Sequence, residues 1–149
     1  MVTDTAYPLR TDRLLVRMLR PEDIDTLTAY RNDPQVSALQ DWDLPYPRER
    51  AAHLVAAHAD RDDVLPGKGT QLAIDLDGQL IGDIYVGLDE HAGIAEIGFS
   101  LAAEHHGKGY AVETASAVID DLVDRLGVHR IVAELSPDNL ASARLLERL

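Results

Sequence analysis

The segment His105-His106-Gly107-Lys108-Gly109-Tyr110-Ala111 has the residue types needed to hold phosphate. It follows a strand, Ile94 to Leu101, and precedes a long helical pattern. A helix N-terminus leaves backbone N–H groups unpaired at its positive dipole end, and phosphate oxygens suit both features. Gly107 and Gly109 would let the backbone approach a ligand with no Cβ in the way, and Lys108 adds charge. The same Gly-Lys-Gly also fits a flexible connection. Two familiar phosphate motifs do not match. A P-loop needs Gly-x-x-x-x-Gly-Lys-Ser/Thr, but Asp62 and Ala102 stand at the upstream glycine position of the two Gly-Lys pairs, and Gly69 and Gly109 follow the lysines. No Gly-x-Gly-x-x-Gly opens a helix.

Metal chemistry finds little support. Glu104, His105 and His106 are adjacent, and neighbouring histidines rarely serve one closed site. His53 and His58 are not spaced as in His-Glu-x-x-His. Cysteine is absent, which excludes disulfides, thiolate zinc sites and a cysteine nucleophile.

These groups must be positioned by one domain of 149 residues. Leu14 to Met18 reads as a strand, and Pro21 to Tyr30 as a helix with Pro21 in its first turn. Ile24, Leu27 and Arg31 share a helical spacing, with Arg31 expected to give at most its alkyl stem. Asn32-Asp33-Pro34 ends that helix. A proline-rich loop holds the lone Trp42 and a short helix at Gln35–Leu39, and a helix over Arg48 to Ala59 follows. Asp60 to Gly69 reads as a polar connection. The period then changes to two. Leu72, Ile74 and Leu76 alternate with polar or small residues as in a half-buried strand, and Asp77-Gly78 signals a tight hairpin into Gln79–Val86. Ile94–Leu101 completes a meander. A helix from about Gly109 to Leu126 ends at Gly127, a strand covers His129–Leu135, and a last helix starts near Leu140. The order β-α-α-β-β-β-α-β-α is an α/β (α+β) arrangement: a mixed, mostly antiparallel sheet flanked by helices, with one strand–helix–strand crossover.

The net charge is −12, and residues 51–149 carry seventeen acids against seven bases. With only Lys68 and Lys108 as lysines, nucleic-acid binding is not expected. A cationic partner is electrostatically compatible. No apolar run nears the ~20 residues of a membrane span, and Met1-Val2-Thr3-Asp4 lacks the parts of a signal peptide, so a cytoplasmic location and no membrane partner are expected.

Taken together, Thr11-Asp12-Arg13-Leu14-Leu15-Val16-Arg17, Leu19-Arg20-Pro21-Glu22-Asp23, Glu96-Ile97-Gly98-Phe99, His106-Gly107-Lys108-Gly109-Tyr110-Ala111 and Asn139-Leu140-Ala141-Ser142 resemble the GNAT family of N-acetyltransferases. The likeness is strongest to its branch of ribosomal-protein N-terminal acetyltransferases, RimJ and RimL. It covers nearly the whole chain, as a single acyl-CoA N-acetyltransferase domain over residues 1–149. The family's last helix is followed by two further strands, so the resemblance implies either a C-terminally truncated sheet with an open edge or an edge that a partner subunit covers, as a homodimer would.

The resemblance implies that the backbone amides of Gly107 to Ala111 hold the pyrophosphate of acetyl-CoA, a co-substrate used without a metal. His106 stands where the family has Gln or Arg; protonated, it would strengthen coenzyme binding below neutral pH. The strands Ile94–Leu101 and His129–Leu135 should splay to admit the pantetheine arm beside Phe99, Ser100 and Leu101. Asn139 and Ser142 match positions near that arm, although Asn139 also suits a helix N-cap and Ser142 a helix surface. The reaction implied is acetyl transfer to a primary amine in a ternary complex. The acceptor is a small-molecule or peptide amine: a protein N-terminus, a polyamine or an aminoglycoside-like molecule. A non-catalytic acyl-CoA-binding domain on the same fold is the alternative.

Amine attack needs a proton acceptor, because an alkyl amine with a pKa near ~10 is mostly protonated at neutral pH. Glu96 is the leading base, in a setting that Ile97 and Phe99 are expected to make partly apolar; Asp83 is second. The oxyanion donor should be a main-chain N–H near Ser100–Leu101. Some family members carry a tyrosine acid on the last helix, and Leu146 occupies that position here. Trp42 and Tyr46, with Asp41 and Asp43, occupy the segment expected to line the acceptor side; Asp83 is a further acceptor contact, and Trp42 also suits a core or dimer contact.

Overall fold

In the computed structural model, residues 7–38, 42 and 44–133 are described. The strands are β1 (Leu9–Arg10), β2 (Leu15–Met18), β3 (Gly69–Leu76), β4 (Gln79–Leu88), β5 (Ile94–Leu101) and β6 (Arg130–Val132). The helices are α1 (Ile24–Arg31), α2 (Pro34–Ser37), α3 (Arg48–Ala57) and α4 (Tyr110–Leu126), with 3₁₀ turns at Pro21–Asp23 and Ala103–His105. The strands form one sheet in the order β1-β2-β3-β4-β5-β6. Every neighbouring pair is antiparallel except β5–β6, which is parallel and joined through α4. This is the mixed, mostly antiparallel sheet that the hydrophobic periods lead one to expect.

Strand alternation divides the core between two faces. On one face Val16, Leu72, Ile84, Val86, Ala95 and Ile97 pack with Val118 and Leu122 of α4. On the other, Ala73 and Leu80 pack with Leu27 and Tyr30 of α1 and Ala51 and Val55 of α3. β3 is therefore buried on both faces, not half-buried: Ala73 and Asp75 are as enclosed as Leu72 and Ile74.

Several boundaries differ from the sequence reading. β1 is too short to show a period, and Thr11–Leu14 closes its hairpin to β2 by Thr11 N–H donating to Leu14 O at 2.9 Å. β3 and β4 both extend outward because Gly69 pairs with Gly87. The hairpin turn is as expected, with Asp77 and Gly78 at φ 52° and 89°. α3 stops at Ala57, and His58 takes over from the helix: its Nδ1–H donates to Leu54 O at 2.8 Å, and its Nε2 accepts Gln71 N–H at 2.8 Å. Gly127 ends α4 at φ 74°, and Val128 N–H returns to Leu122 O. β6 spans Arg130–Val132 within the expected His129–Leu135, whose last two residues lie outside the described ones, as does the helix expected from Leu140.

Two buried arginines tie the layers together. Arg17 of β2 is buried between Asp23 (2.8 and 2.9 Å) and Asp75 (2.8 Å), and so anchors the start of α1 to the sheet. Arg31 corrects an expectation: the whole side chain is enclosed, at 8% exposure, not just its stem.

Candidate active site

β5 delivers the chain to the Ala103–His105 turn, and the backbone then passes through Gly107 (φ 76°) and Gly109 (φ 83°) into α4. These left-handed conformations need glycine. No side chain caps α4, and its opening hydrogen bond is Glu113 N–H to Gly109 O at 3.0 Å. The amides of the first turn are thus left available, and a Cβ on Gly107 would meet nothing within 4 Å. An open backbone cradle at the N-terminus of a 17-residue helix fits a pyrophosphate.

The cradle is held by residues about one hundred positions earlier in the chain. Glu113, on the first turn of α4, accepts from Thr11 Oγ1 at 2.5 Å, Arg13 N at 2.9 Å and Arg13 Nε at 2.7 Å. Burial pushes the Glu113 carboxyl up, and these hydrogen bonds outweigh it, so its pKa lies below the usual value. Arg13 also donates to Lys108 O at 3.1 Å, and its guanidinium lies 4.5 Å from the Tyr110 ring centre. Sequence reasoning missed this clamp. Thr11 and Arg13 were visible in the family-like N-terminal segment, but nothing local links them to Glu113.

His106 is turned toward β5: its exposed ring donates from Nε2 to Leu101 O at 2.8 Å. That nitrogen fastens the loop to the strand end and is not turned outward to a phosphate. Lys108 is exposed, while Tyr110 and Ala111 are half-buried. Ala102 N–H donates to Ile81 O on β4. Main-chain groups alternate sides along a strand, so Leu101 N–H faces the edge away from β4, as does its carbonyl. Along that edge β6 pairs at Ile94↔Arg130, Ala95↔Ile131 and Glu96↔Val132, and β5 continues to Leu101. Phe99 packs half-buried against the α4-side core, whereas Ser100 is buried on the opposite face, across from Asp83.

Glu96 and Ser100 share that opposite face. Glu96 is exposed, which corrects the partly apolar setting expected from Ile97 and Phe99: those two point to the other side of the sheet. Asp83 is enclosed, at 1% exposure. Its Oδ1 accepts from Arg31 Nη2 at 3.0 Å and Gln71 Nε2 at 2.6 Å, and its Oδ2 accepts from Tyr30 Oη. Burial raises the Tyr30 hydroxyl pKa well above its ordinary value, and the Asp83 charge raises it further. Burial lowers the Arg31 pKa, but Asp83 more than compensates and keeps the guanidinium charged.

Trp42 and Tyr46 do form an aromatic pair, with ring centres 6.1 Å apart. The cation they embrace is the protein's own: the Arg31 guanidinium lies 4.7 Å from the Trp42 ring centre and 5.2 Å from that of Tyr46. Trp42 Nε1 donates to Arg31 O at 2.8 Å, and Arg31 Nη1 donates to the Tyr46 hydroxyl at 3.2 Å. Trp42, Tyr46 and Asp83 thus come together around Arg31. Asp41, Asp43, Asn139 and Ser142 lie outside the described residues. No group of three or more His, Asp or Glu able to hold a metal occurs among the described residues, and no helix there is long and apolar enough to cross a membrane.

Residues 13–149 match the family model described as an acetyltransferase (GNAT) domain. The chain belongs to the GNAT family of acetyltransferases. Among curated GNAT relatives, an uncharacterized N-acetyltransferase p20 of Bacillus licheniformis is 31% identical over 144 residues, covering 95% of this chain and 80% of that protein. Solved GNAT structures share the fold. An acetyltransferase from Bacillus anthracis superposes with a TM-score of 0.78 at 24% identity, over 93% of this chain and 80% of the other. Mycobacterium smegmatis RimJ, in complex with CoA-disulfide, gives 0.73 at 22%, over 90% and 68%. Spermidine N-acetyltransferase from Vibrio cholerae, in complex with CoA and spermine, gives 0.76 at 20%, over 91% and 79%.

Proposed function

We propose that the chain transfers an acetyl group from acetyl-CoA to a primary amine in a ternary complex. The observation that carries this reading is the open cradle at Gly107–Ala111, set at the end of the strand that bears Glu96. Family membership and the CoA-bound structural neighbours support the choice of donor.

Acetyl-CoA supplies an activated thioester. The amides of Gly107 to Ala111 bind its pyrophosphate, and the Arg13–Glu113 clamp keeps them in register. The Leu101 main-chain N–H donates to the acyl oxygen as negative charge grows there. Glu96 accepts the proton of the attacking amine, directly or through water. A C–N bond forms and the C–S bond breaks; CoA leaves as the thiolate, which takes up through water the second proton that the amide nitrogen sheds.

Thiol release from acetyl-CoA over a panel of amines and short peptides tests the reading, with CoA binding measured by calorimetry. Amine-dependent release is expected. Tight CoA binding with no release over the whole panel would instead mean a non-catalytic acyl-CoA-binding domain.

A further inference from the structure

The face that carries Glu96 also holds an aromatic ring with no part in the reaction as described. Tyr85 on β4 is flanked across the ladders by Gln71 on β3 and Gly98 on β5. Its ring lies over a facing pair of glycines. A Cβ on Gly69 would sit 2.6 Å from the Tyr85 hydroxyl oxygen and 2.8 Å from Cε1, and one on Gly87 would sit 2.7 Å from the same oxygen. Only glycine at both positions lets the ring lie there.

The ring thus leans along β4 toward Gly87, whose other cross-strand partner is Glu96. It leaves Gly98, directly opposite, uncovered: a Cβ on Gly98 would meet nothing within 4 Å. The result is a trough with Gly98 as its floor, Glu96 and Ser100 at its two ends along β5, and the half-buried Tyr85 ring as its side. Among the described residues, neither the Tyr85 hydroxyl nor the Glu96 carboxylate has a hydrogen-bond partner. Two cations lie nearby, and both are engaged: Arg31 with Asp83, and Arg61 with Gly69 O at 2.6 Å and Thr70 Oγ1 at 3.1 Å; the Gln71 amide also donates to Asp83. The trough therefore offers a carboxylate, a ring face and the Tyr85 and Ser100 hydroxyls, which accept as well as donate.

We propose that this trough takes the acceptor as a slender alkylammonium chain, of the α,ω-diamine class, and that Tyr85 sets that specificity. The inference rests on the acetyltransferase reading above. An ammonium group is attracted to an aromatic face and needs only acceptors around it. A peptide N-terminus would bring side chains and carbonyl oxygens, and those oxygens gain nothing from the Glu96 carboxylate. An unbranched chain also matches a floor without side chains.

The test is calorimetric titration of 1,4-diaminobutane, and separately of a tetrapeptide with a free N-terminus, into the CoA-saturated protein, alongside acetyl transfer to each. The diamine should bind more tightly. Tyr85→Leu should weaken diamine binding about tenfold, while Tyr85→Phe, which keeps the ring, should stay within about threefold. Gly87→Ala displaces the ring and should behave like Tyr85→Leu, with CoA affinity held in all three variants. Tetrapeptide binding as tight as the diamine, or unchanged diamine binding in Tyr85→Leu, would overturn the proposal. Calorimetry reads binding whether or not transfer occurs. A protein that binds the diamine through Tyr85 but releases no thiol would keep the trough and lose the reaction.

Discussion

Arg31 and Asp83 meet at 3.0 Å, α1 supplying the cation and β4 the anion, with both side chains almost fully enclosed. Removing one partner of such a pair leaves an uncompensated buried charge and typically costs about 3–5 kcal/mol. Asp83→Leu should therefore lose stability on that scale in urea unfolding at neutral pH. Arg31→Met added to it should recover most of the loss, because an apolar pair of similar volume carries no buried charge. No recovery in the double variant would mean that the ring contacts of Arg31 with Trp42 and Tyr46, not its charge pairing, dominate.

The cradle gives a prediction that separates backbone conformation from packing. Gly107 sits at φ 76° with open space where a Cβ would go. Gly107→Ala therefore meets no clash, and its cost is the left-handed backbone alone, about 1–2 kcal/mol. Part of that cost should appear as weaker acetyl-CoA binding as the loop relaxes, with KM for the amine little changed. Glu113→Gln should act on the same step from the other side, since it weakens a charge-assisted contact worth about 1.5–3 kcal/mol. Equal CoA affinity in both variants and wild type, measured by calorimetry, would separate the clamp from coenzyme binding.

Much of the scaffold was readable from local pattern. The meander and α4 follow from periods of two and 3.6, and the turn at Asp77-Gly78 and the cap at Gly127 from residues that tolerate positive φ. The cradle was readable because two glycines open a helix. What local pattern could not show was pairing between distant residues. Arg31 looks like a helix-surface arginine until Asp83 arrives across the sheet, and Arg13 has no visible tie to Glu113. Trp42 and Tyr46 suit an acceptor wall by segment and Trp42 equally a core contact, and only the fold shows that the buried Arg31 lies against both rings. The side of the sheet that Glu96 faces was already set by strand parity, although its apolar sequence neighbours suggested otherwise.

His58 links stability to pH. Burial lowers its pKa from 6.5, a contact with Leu54 O acts the other way, and Arg61 lowers it further. The neutral ring accepts Gln71 N–H through Nε2, which a protonated ring could not do. Because the folded pKa lies below the unfolded one, the unfolded chain binds more protons between the two values. The contribution of His58 is thus complete above about pH 6.5 and is lost as pH falls from there through the folded value. Urea midpoints should drop between pH 7.5 and 5.5 in wild type and less so in His58→Gln, which is less stable at pH 7.5. Parallel pH profiles would place the titrating group elsewhere.

Glu96 bears the sharpest chemical prediction. It stands exposed on β5, and its cross-strand partner on β4 is Gly87, so it can be changed without disturbing the core. Glu96→Gln should keep its fold and CoA affinity while kcat falls by about 10²–10⁴, the range for loss of a positioned base. The loss should shrink as pH approaches the amine's own pKa, near ~10, because the acceptor then arrives neutral and needs no base. The pH profile distinguishes this role from simple ammonium anchoring by the carboxylate. An anchor lost would raise KM for the amine at neutral pH and leave kcat near normal at saturation, and that outcome would remove Glu96 from the proton path.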